Sequence, residues 1–315
     1  MGAGPDAAVA QGILALRLIT GFGAPKQPDQ GVAMLRAAAD AGSAEATELV
    51  AALHAAGRFL PQDWDAALDG LLRAAEAGEP RSRRQLRLLA RDDASSDWAA
   101  LRARIDIPAL TRPPVGKPLS ASPRIRTFER FLSSAECAWL IERARGRIKP
   151  ARIYDGGSGG AAQSNQRSNS ACEFHLVETD VVMAVIRARI AAVSGIPPSN
   201  MEDMGVLHYE VGQEFVRHVD YLNPDLPAYA RVIAERGQRV ATFLTYLNDD
   251  FDGAETEFPA LALRYRGKTG DAILFWNVDE RGQIDRRTLH AGLPPTRGRK
   301  WLLSQFLREK PWPFE

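Results

Sequence analysis

Residues Met204–Leu222 read MGVLHYEVGQEFVRHVDYL, and the fold class is legible from this stretch outward. MGVLHYEV and FVRHVDYL are short β-like runs of apolar and aromatic residues, divided by the turn residue Gly212. Three more such runs follow: RVATFLTYLN (Arg239–Asn248), DAILFWNV (Asp271–Val278) and KWLLSQFLRE (Lys300–Glu309). Repeated short strands bounded by turn residues point to a jelly roll or barrel. The polar stretches GSGGAAQSNQ (157–166) and NPDLPAYARVIAERG (223–237) read as long loops at its mouth.

The same stretch carries the chemistry. His218 and Asp220 stand two residues apart, so on a strand both side chains leave the same face and can reach one metal. A third ligand has to come from a distant strand, and His290 in TLHAGLP, between DAILFWNV and KWLLSQFL, is the natural choice. Two imidazoles and one carboxylate on one face of a metal leave adjacent positions open, as Fe(II) needs in order to hold a bidentate cosubstrate and then dioxygen. Lys300, ten residues beyond His290, could offer a fixed cation to a dicarboxylic cosubstrate, or could be a solvated lysine at a strand end. His54, His175 and His208 have no partner at ligand spacing and read as structural.

From about Arg124 to Trp312 the chain resembles the catalytic domain of the prolyl 4-hydroxylase α-subunit family. The matching stretches are FLSSAECAWLIERA, QRSNSACEF, HYEVGQEFVRHVDYL, QRVATFLTYLND, DGAETEFP, GDAILFWN and LHAGLPPTRGRKW. The resemblance implies a double-stranded β-helix in which His218, Asp220 and His290 bind Fe(II) and Lys300 pairs with the distal carboxylate of 2-oxoglutarate. It also implies O2 as second cosubstrate, ascorbate as reductant, and hydroxylation of a C–H bond coupled to formation of succinate and CO2. Thr242, Tyr246 and Trp301 match positions at the cosubstrate pocket or its wall, and Arg167 matches a position near the substrate channel. Asp220 argues against a halogenase, since related halogenases lack that carboxylate. Two departures stand out: Phe215 replaces the tyrosine of many relatives, and Ala254 replaces the usual second glycine of DGAETEFP. The implied substrate is a prolyl residue in a peptide or protein. A free amino acid or small metabolite, or a non-oxidative cupin-like metal-binding protein, are the alternatives.

Upstream, the chain is Ala-, Leu- and Arg-rich, and AAADAG at Ala37–Gly42 recurs 36 residues later as RAAEAG at Arg73–Gly78. At the same offset Gly21 matches Gly57, Asp29 matches Asp65, Val32 matches Leu68 and Leu35 matches Leu71, the mark of stacked helical hairpins. The stretch resembles short tetratricopeptide-like repeats. Two units cannot bury their own faces, so docking on the rest of the chain, a protein contact or dimerisation is expected. Pro108, Pro113, Pro114, Pro118 and Pro123 then predict an extended connector. The expected division is a helical-repeat region over 1–105, a proline-rich linker over 106–123 and an oxygenase domain over 124–315, an α+β chain overall. In the last of these, FLSSAECAWLIERARG predicts a helix capped by Ser134, and a second helix is expected over about Asp180 to Val193.

Composition narrows the partners. Forty basic residues against 39 acidic ones leave a charge of +1, with no global field to attract nucleic acid or an anionic membrane. The first residues lack a basic leader region and their apolar run is broken by Gln11 and Arg17, so neither a signal peptide nor a membrane span is expected, and the expected location is cytoplasmic. Cys137 and Cys172, the only two cysteines, predict core packing in a reducing compartment.

Overall fold

A computed structural model describes residues 5–151, 153–155, 160–162 and 167–311, and the chain divides into two compact units. The helical unit runs to Arg112 and takes in His175–Arg189; the second spans Pro113–Phe174 and continues from Ile190.

The helical unit contains α1 (Pro5–Thr20), α2 (Pro28–Asp40), α3 (Ala44–Ala56), α4 (Trp64–Glu76), α5 (Pro80–Ala90), α6 (Trp98–Arg104) and α7 (Ile107–Thr111). The sequence echo is a real structural repeat: α2 and α4 start and stop 36 residues apart, and α3 and α5 start 36 apart. Val32, Leu35, Leu68 and Leu71, the matched apolar residues, are all buried. Gly57 ends α3 in the left-handed region at φ 63°, where a β-carbon would clash, and Gly21 does the same after α1 at φ 76°. The segment His175–Arg189 is fastened into this unit by buried bonds: the Val181 N–H donates to Gln85 Oε1 at 2.9 Å, and Arg189 Nε donates to the Leu110 carbonyl at 2.7 Å. Val181, Val182, Met183, Val185 and Ile186 are each wholly inaccessible, so this segment belongs to the hydrophobic core.

The second unit contains β1 (Lys117–Ser120), β2 (Ile125–Phe128), α8 (Ser134–Arg145), β3 (Lys149–Pro150), a hairpin of β4 (Ile153–Asp155) and β5 (Gly160–Ala162), and β6 (Ser170–Phe174). The helix α9 (Val181–Ser194) leads from the helical unit back into it. There follow β7 (Met204–Tyr209), β8 (Phe215–His218), α10 (Pro227–Arg236), β9 (Arg239–Tyr246), β10 (Asp252–Gly253), β11 (Thr256–Phe258) and β12 (Leu263–Tyr265). The chain closes with β13 (Ala272–Trp276), β14 (His290–Gly292), β15 (Pro295–Arg297) and β16 (Lys300–Arg308). An eight-stranded sheet runs β1-β2-β13-β9-β16-β7-β6-β3, and a four-stranded sheet runs β12-β11-β14-β8. Together they form the expected double-stranded β-helix, with a core that joins Leu244, Phe275 and Leu302 of the large sheet to Phe258 of the small one. Among the described residues no helix is long and apolar enough to cross a membrane.

Several local expectations change. The N-cap of α8 is Ser133, not Ser134, because Ser133 and Glu136 form a reciprocal capping box that satisfies two orphan backbone donors. The predicted loop over 223–237 contains α10, started by Pro227, where a missing N–H costs nothing. For the same reason Pro108 does not deny helix but opens α7, while Pro118 lies on the edge strand β1. Arg297 sits on β15 and pairs with Asp252 at 2.6 Å. Of the predicted mouth loop 157–166, only 160–162 fall within the described residues.

Candidate active site

The strand β8 ends at His218, so Asp220 lies in the bend beyond it rather than on the same strand face. What fixes Asp220 is the opposite sheet: Thr242 Oγ1 on β9 donates to its Oδ2 at 2.7 Å, and Asn277 Nδ2 donates to Thr242 at 3.2 Å. Pairing of β14 with β8 sets His290 directly across from His218. Each imidazole bonds through Nδ1 to the carbonyl two residues before it, Val216 for His218 at 2.8 Å and Thr288 for His290 at 3.0 Å. A carbonyl only accepts, so Nδ1 carries the proton and Nε2 presents its lone pair. Both Nε2 atoms lie 3.5 Å from Asp220 oxygens, and the three ligand atoms fall within 4.8 Å of one another.

The electrostatics suit a divalent metal. Burial pushes His290 down to about 4, helped by His218, so at neutral pH its imidazole is neutral and free to ligate. Burial opposes ionisation of Asp220, but His290, His218 and Thr242 outweigh it and hold the carboxyl well below the usual carboxylate range. Aromatic rings fix both imidazole planes. Phe215 stacks on His218 with centroids 3.4 Å apart, and Phe275 meets His290 edge-on at 4.8 Å. Two imidazoles and one carboxylate, preset around a common point, are the donor set that borderline Fe(II) takes.

The triad opens on a cavity between the two sheets. Along β16 it is lined by Lys300, Leu302, Ser304 and Phe306, the residues whose side chains alternate inward. Lys300 is wholly buried, and its Nζ donates to the Ala254 carbonyl at 2.8 Å. Burial lowers its pKa to about 7, with only the Coulombic pull of Glu255 opposing. The cavity thus holds the three metal-ligating groups together with a fully buried lysine. Arg299, the neighbouring base, points away and pairs with exposed Glu210 at 2.8 Å.

The other predicted residues separate. Arg167 lines the cavity, with Nε donating to Asn169 at 2.9 Å and its guanidinium 4.6 Å from the Phe215 ring centre. Thr242 supports Asp220 and does not line the cavity. Tyr246 is spent in the core, its hydroxyl donating to the Tyr265 carbonyl at 2.8 Å and meeting Thr256 at 2.9 Å. Trp301 is on the wrong face: adjacent to Lys300 on one strand, it must point the other way, where it packs on His208 at 4.3 Å. Tyr209 was missed. It faces Lys300 across the β7–β16 pairing, lines the cavity, and burial pushes its phenol up to about 12, so it is a neutral donor there. The alternation that turns Leu207 inward turns Tyr209 inward too, and could have found it.

Residues 204–308 match the family model described as the 2OG-Fe(II) oxygenase superfamily. Prolyl 4-hydroxylase 1 of Arabidopsis thaliana is 34% identical over 206 residues, covering 61% of this chain and 71% of that protein. The chain belongs to the 2OG-Fe(II) oxygenases of the prolyl 4-hydroxylase type. Among solved structures, a viral collagen prolyl hydroxylase of Paramecium Bursaria Chlorella virus-1 in its 2OG complex aligns at 26% identity and a TM-score of 0.44, covering 58% of this chain and 95% of that one. A Sel1 repeat protein from Oxalobacter formigenes aligns at 27% identity and a TM-score of 0.27, covering 30% of this chain and 78% of that one.

As a 2-oxoglutarate-dependent dioxygenase this protein is a hydroxylase that uses Fe(II) and 2-oxoglutarate. Its two departures from the family pattern acquire reasons here. Phe215 offers no hydroxyl and instead clamps His218 as an apolar plate. Ala254 sits at φ 58°, the left-handed conformation that favours glycine, and its carbonyl accepts from Lys300.

Proposed function

We propose that this oxygenase hydroxylates a prolyl residue in a peptide or protein, with iron held by His218, Asp220 and His290 and the distal carboxylate of 2-oxoglutarate held by Lys300. The observation that carries the reading is the conjunction, in one cavity, of the Nε2/Nε2/carboxylate donor set with a fully buried lysine. A buried ammonium needs an anion, and 2-oxoglutarate has a carboxylate to spare at the end remote from the metal. Tyr209 beside Lys300 adds a phenol that can donate to the same carboxylate. The prolyl substrate is supported by the similarity to prolyl 4-hydroxylase 1 over most of that protein's length.

When bound, the iron and cosubstrate supply oxidative decarboxylation: 2-oxoglutarate, O2 and a C–H bond give succinate, CO2 and C–OH. The chain's own residues bind and orient. His218 and His290 keep their Nε2 lone pairs aimed inward through Nδ1 bonds, Thr242 holds the Asp220 carboxylate in place, and Phe258 and Phe275 keep the His290 side dry. The open end, lined by Arg167, Arg239 and Phe306, receives the substrate.

The test is succinate formation with a panel of proline-containing peptides, read together with mass spectrometry for the gain of one oxygen atom that depends on both Fe(II) and 2-oxoglutarate. Incorporation into a free amino acid or metabolite, with no peptide modified, would overturn the peptide reading while leaving the metal and cosubstrate assignments standing. Anaerobic addition of Fe(II) and 2-oxoglutarate should give a weak visible charge-transfer band, absent from a cupin-like metal-binding protein.

A further inference from the structure

Pairing within the large sheet sets Glu173 on β6, Gly205 on β7 and Ser304 on β16 side by side in one row. All three line the cavity. With strands about 4.8 Å apart, the α-carbons of Glu173 and Ser304 stand roughly 10 Å from each other across a position with no side chain. Packing does not demand this glycine. A β-carbon on Gly205 would meet nothing nearer than the Ser304 carbonyl at 3.6 Å, an ordinary contact. Its φ is not among the positive ones, so no backbone strain demands it either. The row therefore holds a notch, floored by the β7 backbone.

Polar groups without partners flank it. Ser304 is only 9% exposed, yet among the described residues its hydroxyl makes no hydrogen bond and faces the cavity. The hydroxyl is open to the cavity, where a ligand can supply the bond that the protein does not. Among the described residues Glu173 has no ion pair: Arg167 feels it electrostatically but bonds Asn169, while the neighbouring Glu202 is already engaged by Arg239 at 2.7 Å and Arg308 at 2.6 Å. The free groups are thus one carboxylate, which only accepts, and one hydroxyl, which can also accept.

We propose that the notch over Gly205 binds a basic group of the substrate, an ammonium or guanidinium that donates to Glu173 and Ser304. Resting on the prolyl-peptide reading above, this makes the substrate a prolyl peptide with a lysine or arginine next to the hydroxylated residue. A charge-assisted bond at a carboxylate open to solvent gives about a tenfold preference.

The test uses the full chain under anaerobic conditions with Fe(II) and 2-oxoglutarate. Calorimetry measures three sets of otherwise identical prolyl peptides, with lysine, norleucine or glutamate beside the proline on either side. Lysine should bind about tenfold tighter than norleucine, with glutamate weakest. Glu173→Gln should bring lysine and norleucine to within about twofold of each other, and Gly205→Leu, which fills the notch and leaves Glu173 in place, should do the same. The charge-transfer band of the iron and 2-oxoglutarate reports that each variant is folded. Equal binding of lysine and norleucine peptides, or a lysine preference that survives Glu173→Gln, overturns the inference alone. If no peptide of any charge binds, the prolyl-peptide reading falls, and this inference with it.

Discussion

Replacing Lys300 with methionine, an unbranched side chain that ends where the ammonium begins, removes the charge and keeps most of the packing, which separates cosubstrate anchoring from packing. In the wild-type protein Nζ lies in a fully buried position, 4.9 Å from the Tyr246 ring centre and 5.3 Å from that of Tyr209, with the Ala254 carbonyl as its hydrogen-bond partner. A charge-assisted bond to a carboxylate there contributes about 2–4 kcal/mol, or about 30- to 1000-fold in affinity. The protonation state modifies this. With a pKa of about 7, Lys300 is charged below that pH and neutral above it until the cosubstrate arrives. Binding of the dicarboxylate therefore takes up a proton above pH 7, and wild-type affinity should fall by up to about tenfold per pH unit beyond it, whereas Lys300→Met should show no such slope.

Stability moves the other way. The unfolded lysine titrates higher than the buried one, so burial costs stability fully below pH 7, and that cost disappears as pH rises toward the ordinary lysine range. The cosubstrate-free methionine variant should thus melt no lower than wild type at pH 6. The assay is the 2-oxoglutarate dependence of succinate formation at pH 6, 7 and 8, with thermal melts of the cosubstrate-free proteins. A normal 2-oxoglutarate requirement in Lys300→Met would refute the anchor. A raised requirement that keeps the wild-type pH slope would refute the protonation argument.

Alanine at His218, Asp220 or His290 should each abolish coupled turnover while the secondary structure seen by circular dichroism persists; substantial turnover in any two variants would sink the triad. Excess Zn(II) should inhibit, since it suits the same donors without redox chemistry, and its failure to compete with Fe(II) would argue against this donor set. Ser133→Ala removes the capping box of α8 and should cost about 1 kcal/mol, lowering the melting midpoint by about 2–4 °C; an unchanged midpoint would show that the cap is not stabilising. Deleting residues 1–112 leaves every proposed ligand in place but strips the helical partners from His175–Arg189, with Val181 to Ile186 buried there and the bonds to Gln85 and Leu110 lost. The truncated chain should aggregate, as light scattering would show, and a soluble monomer would contradict this.

The sequence by itself determined the elements and the chemistry that local rules control. The 36-residue echo fixed helices whose ends now fall at that spacing, and short apolar runs bounded by turn residues marked β7, β9, β13 and β16 to within a few residues. The spacing of His218 and Asp220, with His290 and Lys300 downstream, was enough to nominate the triad and its lysine, because such residue types in that order have few other uses. Rules of this kind act over one or two turns or a single strand, so they are readable without knowing what the chain meets.

What depends on partners remote in sequence was decided only by the tertiary structure. Thr242 could be nominated from the sequence, but its bond to Asp220 exists because β9 passes beneath the bend after β8, and Tyr246 was drawn into the core by Thr256 and Tyr265. Trp301 is the instructive miss, since the two-residue period of a strand already excluded it once Lys300 was placed inward. The assignment of His175–Arg189 to the helical unit, after a β-rich stretch, could not be read locally, because Gln85 and Leu110 hold it from about 80 to 100 residues away. The notch over Gly205 is visible only when three strands, β6, β7 and β16, are laid side by side in register, since an empty position acquires meaning from the polar groups that face it.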